Sequence, residues 1–183
     1  MDNGASSYRR FLDGDDSAFD EIMREYRNGL TFFIQRYVKE EAAAEDIAID
    51  VFVDLIVNRR RYNFKTSLKT YLYMLGRSKA LDYLRHKNRL HIVEYSQELE
   101  EPGYEPLLEE IILKNEKQRI VNEALKKLPD DMQAAVHLVY FEELSYDEAA
   151  NIMRLNRKKI DNLLYRAKGT LRTIIGKEGE LLS

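Results

Sequence analysis

Apolar residues at three- and four-residue spacing run through most of this chain. They predict a succession of helices. After the polar cluster Asp13 to Ser17, which is rich in capping residues, Phe19, Ile22, Met23, Tyr26, Leu30, Phe33, Ile34 and Tyr37 fall on one face of a helix of about five or six turns. Gly29 interrupts it at a cost of about 1 kcal/mol against Ala. The next predicted helix, Ala42 to Val57, is apolar nearly all round, with Ile47, Val51 and Leu55 on one side and Ile49, Val53 and Ile56 on others, which predicts burial on several faces. Ser67 is placed to cap a third helix, Leu68 to about Lys87, whose core side is Leu68, Leu72 and Leu75. A fourth runs from Ile111 to Leu128 and is ended by Pro129; Met132, Ala135, Val136 and Val139 line one face of the next.

The most sharply punctuated stretch is Ser145 to Arg172, SYDEAANIMRLNRKKIDNLLYRAKGTLR. Ser145 and Glu148 have capping-box spacing, so a helix starts near Tyr146. Arg154 and Leu155 form a turn, Asn156 is a favoured N-cap, and a second helix starts near Arg157. Its stripe of Ile160, Leu163, Leu164, Ala167, Leu171 and Ile174 must be buried. Two capped helices joined by a short turn, the second crowded with cations, read as a helix-turn-helix. Every predicted element is helical, so the fold class is all-α. Between His91 and Leu113, Glu94, Glu98, Glu100, Glu101, Glu105, Glu109 and Glu110 surround Pro102, Gly103 and Pro106, which reads as an extended acidic linker. The expected organisation is two small helical domains, 1–90 and 114–183, joined by the linker 91–113.

Composition narrows the function classes. The chain has 183 residues, 44% of them hydrophobic, enough to bury cores. No apolar run approaches the roughly 20 residues that span a membrane, and the start MDNGASSYRR lacks the apolar core of an export signal. There is no Cys, which fits a reducing cytosol, and His86, His91 and His137 lack metal-ligand spacing, so neither a metal nor another cofactor is expected. Net charge is only −3, but it is segregated: −7 over residues 1–58, +9 over 59–91, −6 over 92–131 and +1 over 132–183. Such blocks suggest separate partner surfaces.

Three surfaces carry candidate chemistry. Asp46, Asp50 and Asp54 recur every four residues, a self-repelling acidic stripe that is either solvated or awaits a cationic partner. Arg59, Arg60 and Arg61 open the basic block, followed by Tyr62-Asn63-Phe64-Lys65; on the next helix Lys69, Tyr73 and Arg77 form a basic and aromatic stripe, with Arg85, Lys87 and Arg89 extending the charge beyond its end. Rings beside cations suit unpaired bases, although Tyr62 and Phe64 serve equally as core residues. On the last helix Lys158, Asn162 and Tyr165 point away from the buried stripe, with Lys159 and Arg166 on one flank and Asp161 and Arg172 on the other. Asn and Lys suit base edges there, and Arg and Tyr suit phosphates; a merely solvated basic face is the bland alternative.

Three segments in order, AEDIAIDVFVDL at 44–55, SLKTYLYMLGRSKALDYLRHKNR at 67–89 and LPDDMQAAVHLVYFEELSYDEAANIMRLNRKKIDNLLYRAKGTLR at 128–172, resemble a bacterial RNA polymerase sigma factor of the sigma-70 family, in its short extracytoplasmic-function group. The resemblance implies a region 2-like bundle, a region 4-like helix-turn-helix domain, and a cytoplasmic, non-enzymatic initiation factor. It implies core RNA polymerase as partner, with Asp46, Asp50 and Asp54 facing the clamp helices of the largest subunit, and promoter DNA as target. Asn63 to Thr66, with Lys69, Tyr73, Arg77, Arg85, Lys87 and Arg89, would hold the non-template strand of the minus-ten element; Arg157, Lys158, Lys159, Asn162, Tyr165 and Arg166 would read the minus-thirty-five duplex. The acidic linker would run through the RNA exit region, and an anti-sigma factor is a candidate further partner. The chain departs from the family pattern at Ile49 (usually Gln), Tyr71 (usually Trp), Arg154 (usually Gly) and Lys159-Ile160-Asp161 (usually Thr-Val-Lys). A helix-turn-helix regulator acting without polymerase explains 145–172 equally well, but not the +9 block upstream. An enzyme lacks any E-x-x-H or His/Cys cluster.

Overall fold

The computed structural model describes residues 4–93 and 116–181, and among them every regular element is helical. The chain divides into two compact units, Met1–Glu105 and Pro106–Ser183.

The first unit is built on α2 (Asp16–Val38), α3 (Glu41–Val57) and α4 (Leu68–Val93), preceded by the short α1 (Ala5–Leu12). Asp15 caps α2, its carboxylate accepting from the Ser17 amide at 3.1 Å, and Lys39 ends it in the left-handed region, φ 60°. The predicted stripe of α2 is the core: Ile22, Tyr26, Leu30, Phe33 and Ile34 are buried. Helix α4 packs against both α2 and α3. It approaches α2 closely at Gly76, where an added Cβ would lie 2.8 Å from Leu30 Cδ1. Ser67 caps α4 as expected, its hydroxyl accepting from the Thr70 amide at 3.0 Å.

Two expectations change here. Helix α3 buries Ala44, Ile47, Val51 and Leu55 against its neighbours, but Ile49, Val53, Ile56 and Val57 stand exposed, Val57 at 72%. Its outer face is therefore apolar and uncovered within this unit, instead of buried on several sides. Helix α4 continues to Val93, so Arg85, Lys87 and Arg89 lie on the helix and not beyond it.

The second unit holds α5 (Glu116–Lys126), α6 (Asp130–Val136), α7 (Tyr146–Met153) and α8 (Arg157–Leu181), the four-helix count the periodicity predicts. Helix α6 runs on as one π-helical turn, His137–Phe141, that turns Tyr140 and Phe141 outward. The capping box is complete: Ser145 Oγ accepts from the Glu148 amide and the Glu148 carboxylate accepts from the Ser145 amide at 2.9 Å. Arg154 ends α7 with φ 54°, a left-handed conformation usually filled by Gly, and Asn156 Oδ1 accepts from the Lys159 amide at 2.9 Å to start α8. Of the predicted stripe Ile160, Leu164 and Ala167 are buried, locking α8 to the rest of the unit, while Leu163, Leu171 and Ile174 are only half-buried. The residues of the predicted acidic linker from Glu94 to Leu113 lie outside those described.

Candidate nucleic-acid interface

In the first unit the uncovered face of α3 comes with acid. Asp46 and Asp50 are exposed and make no ion pair or hydrogen bond among the described residues. Asp54, the third member of the predicted stripe, is instead held by its own chain: Asn58 Nδ2 donates to it at 2.6 Å and Arg61 Nη1 lies 3.7 Å away. The outward surface of α3 therefore sets the open carboxylates of Glu45, Asp46 and Asp50 among exposed Ile49, Val53 and Ile56.

The loop that follows is braced from below. Tyr8 of α1, fully buried, donates its hydroxyl to the Arg59 carbonyl at 2.7 Å, and its ring meets Tyr62 edge-on at 5.3 Å. Burial pushes the Tyr8 phenol up to about 12. Tyr62 is a core residue, its hydroxyl donating to the Thr66 carbonyl at 2.6 Å, and it touches both Phe64 and Tyr71. Phe64 is half-buried with φ 60°, its ring 5.0 Å from the Arg9 guanidinium. Asn63 and Lys65 remain exposed at the loop tip, tied by a 3.1 Å bond from the Lys65 amide to Asn63 Oδ1. Nothing in the spacing of residues 5–12 pointed to α1 or Tyr8, because two turns of helix carry too few repeats.

On α4 the predicted stripe breaks up. Tyr73 is wholly buried, its ring 5.1 Å from that of Phe33, so its assignment as a residue lining a DNA strand is corrected. The reason is that α4 contacts two helices and so buries a wider arc than one apolar stripe, taking in Thr70, Tyr73, Gly76 and Ala80 as well as Leu68 and Leu72. Lys69 and Arg77 are half-buried, and the Arg77 guanidinium sits 5.9 Å from the Tyr37 ring. Two of the distal cations are engaged within the unit. Arg85 pairs with Asp82 at 2.6 Å, and Lys87 Nζ reaches Glu40, the residue preceding α3, at 3.0 Å. Tyr83 donates to the same carboxylate at 3.2 Å. The Lys87 and Tyr83 hydrogen bonds hold the Glu40 carboxyl below its ordinary range, and Glu40 in turn holds Lys87 above its own. Arg89 stays exposed.

In the second unit the face of α8 opposite Ile160 and Leu164 is open. Lys158, Lys159, Asn162, Tyr165 and Arg166 are all exposed, Tyr165 at 78%. Arg157 is exposed but committed: its Nη1 lies 2.8 Å from Asp147 of α7 and its guanidinium 5.7 Å from the Tyr146 ring. Lys168, which the sequence reading passed over, sits 5.4 Å from the Tyr140 ring and is raised by a hydrogen bond with that phenol. Within this unit a capped helix thus presents Lys, Asn and Tyr side chains in successive turns, the chemistry that suits a major groove. Among the described residues no group of His, Asp or Glu could hold a metal ion, and no helix is long and apolar enough to cross a membrane.

These features agree with what the chain is similar to. The family profile described as Sigma-70 region 2 matches residues 22–90, and the profile described as Sigma-70, region 4 matches residues 118–171. The ECF RNA polymerase sigma factor SigM of Bacillus subtilis is 26% identical over 165 residues, covering 86% of this chain and 95% of SigM. SigW of the same organism is 25% identical, covering 87% and 88%. Among solved structures, the sigma factor RpoE in complex with the anti-sigma factor NepR from Bartonella quintana superposes with a TM-score of 0.68 at 19% identity, covering 86% of this chain and 96% of that one. CnrH in complex with the cytosolic domain of CnrY gives 0.60 at 18%, covering 96% of each. With helices, caps and two family profiles in the same order along one chain, the protein belongs to the sigma-70 family of RNA polymerase sigma factors, in its extracytoplasmic-function group.

Proposed function

We propose that this sigma factor docks on the clamp helices of the largest subunit of core RNA polymerase through the outer face of α3, with Asp46 and Asp50 as its polar contacts. The observation that carries this is the exposure of Ile49, Val53 and Ile56 beside those two open carboxylates. An apolar strip rimmed by charge is the composition of a protein interface and a liability on a surface left bare. Asp54 serves the end of its own helix and contributes less.

From that docked position Asn63, Phe64 and Lys65 at the loop tip, with Lys69, Arg77 and Arg89 on α4, hold the parted non-template strand of the minus-ten element. Arg85 and Lys87 reach it on release from Asp82 and Glu40. Melting follows because this unit binds unstacked bases and not paired ones, so its binding free energy shifts the duplex toward the open form. Helix α8 reads the minus-thirty-five duplex with Lys158, Asn162 and Tyr165, while Lys159 and Arg166 meet phosphates and Arg157 braces the two helices. The functional divisions are 1–90 for docking and strand capture, 91–113 as a linker through the RNA exit region, and 114–183 for duplex reading. The protein makes and breaks no bonds; it is a removable specificity subunit acting beside polymerase in the cytoplasm. An anti-sigma factor, the kind of partner seen with RpoE, is a further partner.

The test is reconstitution with core polymerase. The full chain should direct run-off transcription from a subset of a random promoter library, and Asp50→Arg should abolish both that activity and co-purification with core. Retained co-purification would remove α3 as the docking face. Sequence-selective duplex binding at physiological salt without any affinity for core would favour the polymerase-independent regulator.

A further inference from the structure

Asp161 stands out on α8 because it is an acid where a polyanion is expected. It is exposed in the second turn of the helix, with Lys158, Asn162 and Tyr165 exposed within one turn of it. Two cations precede it at pairing distance on the same helix, Lys158 three residues earlier and Arg157 four. That guanidinium is turned to Asp147 of α7 instead, at 2.8 Å, and over the Tyr146 ring. Asp161 makes no ion pair or hydrogen bond among the described residues. Its charge therefore reaches any DNA that the face meets.

An uncompensated carboxylate weakens binding to every phosphate backbone, so its presence is useful only where a base offers a donor. The major-groove edges differ in what they present. Guanine shows two acceptors, thymine an acceptor and a methyl, and adenine an acceptor beside its amino group; cytosine alone presents an amino donor with no acceptor next to it. A carboxylate is repelled by each of the first three and can accept from the fourth.

We propose that Asp161 is a specificity-determining residue that selects cytosine in the upstream duplex by accepting from its N4 amino group. This rests on the reading of α8 as the duplex-reading helix. Neighbouring Asn162 has the complementary preference for adenine, so the pair reads two different bases from one turn.

The experiment uses the full chain bound to core polymerase and a promoter pool randomised over the upstream element, with bound fractions sequenced for wild type, Asp161→Ala and Asp161→Asn. Wild type should require cytosine at one position. Asp161→Ala should lose that discrimination by about 5- to 150-fold while gaining affinity for the other bases, and Asp161→Asn should move the preference toward adenine. If wild type selects upstream bases but Asp161→Ala only raises affinity uniformly, with the base profile unchanged, Asp161 is a solvated acid and the proposal falls. If wild type selects no upstream base at all, it is the duplex-reading role of α8 that fails.

Discussion

Replacing Tyr8 by Phe tests the idea that α1 sets the shape of the loop between α3 and α4. The hydroxyl removed is fully buried and donates at 2.7 Å to the Arg59 carbonyl, with the Leu55 carbonyl at 3.4 Å. The ring contacts with Phe11, Tyr62 and Phe64 survive the substitution, so only the hydrogen bond is lost. Leaving this part-buried carbonyl without its donor costs about 1–2 kcal/mol. Amide hydrogen exchange on the full chain at neutral pH should then show peptides of α3, the loop and α4 losing protection by about 5- to 30-fold. Peptides of α8 should not change. The phenol also makes a pH prediction whose sign is fixed. Because the folded chain holds this proton to about pH 12 and the unfolded chain releases it near 10, the contribution is complete below pH 10 and is lost as pH rises through 12. A shift of that size corresponds to about 2–3 kcal/mol in total. Phe has no proton to lose, and the raised Tyr71 and Tyr83 are common to both chains, so the stability gap between wild type and variant should shrink above pH 10 and reverse near pH 11 to 12. Urea unfolding followed by circular dichroism reads this in the transition that the substitution moves at pH 7. Unchanged protection in the loop, or a gap that widens with pH, would refute the bracing role.

Arg154→Gly should stabilise the helix-turn-helix by about 0.5 kcal/mol, because the left-handed strain of an L residue at φ 54° slightly exceeds the entropy Gly adds to the unfolded chain; Arg154→Val should destabilise it by about 1–2 kcal/mol. Thermal unfolding of the full chain checks both directions. Glu40→Gln should release Lys87 and Tyr83, raise the affinity of the full chain for single-stranded DNA and steepen the dependence of log K on log salt by about 0.7, the contribution of one more phosphate contact. Since the Glu40 carboxyl is held below its ordinary range, the pair persists above that range and is lost as pH falls through the lowered value, and the affinity gap between variant and wild type should close there.

What could be read from the residues alone was whatever is decided within a few positions of chain. The caps at Ser67, Ser145 and Asn156 are local hydrogen bonds, and each forms where residue type and spacing put it. The burial of Ile160, Leu164 and Ala167, and the exposure of Lys158 and Asn162, follow from a single stripe at helical spacing. Periodicity failed where the number of neighbours mattered. The stripe of Leu68 and Leu72 predicts Tyr73 outward, yet α4 packs against both α2 and α3 and Tyr73 is buried. Helix α3 gave the opposite error: apolar residues all round imply neighbours all round, and its third side has none within the unit. The ion pairs Lys87–Glu40 and Arg157–Asp147 join different elements, so no spacing along one helix reveals them.

Those pairs bear on why such a chain would act only with polymerase. The +9 block of residues 59–91 suggests a surface able to grip DNA unaided. Part of that charge is answered inside the first unit by acids from outside the block, where Arg61 lies near Asp54 and Lys87 pairs with Glu40. In the second unit Asp147 takes Arg157 and Asp161 subtracts from what is left. Affinity for a phosphate backbone scales with the cations free to displace counterions, so each internal pair lowers non-specific binding by a step. On the proposed docking through the face of α3, both units would meet DNA at a high local concentration, where contacts too weak to matter singly suffice together. Selectivity would improve for the same reason, because weak backbone contacts leave the choice of site to base contacts, which the proposed reading gives to Asn162 and its neighbours.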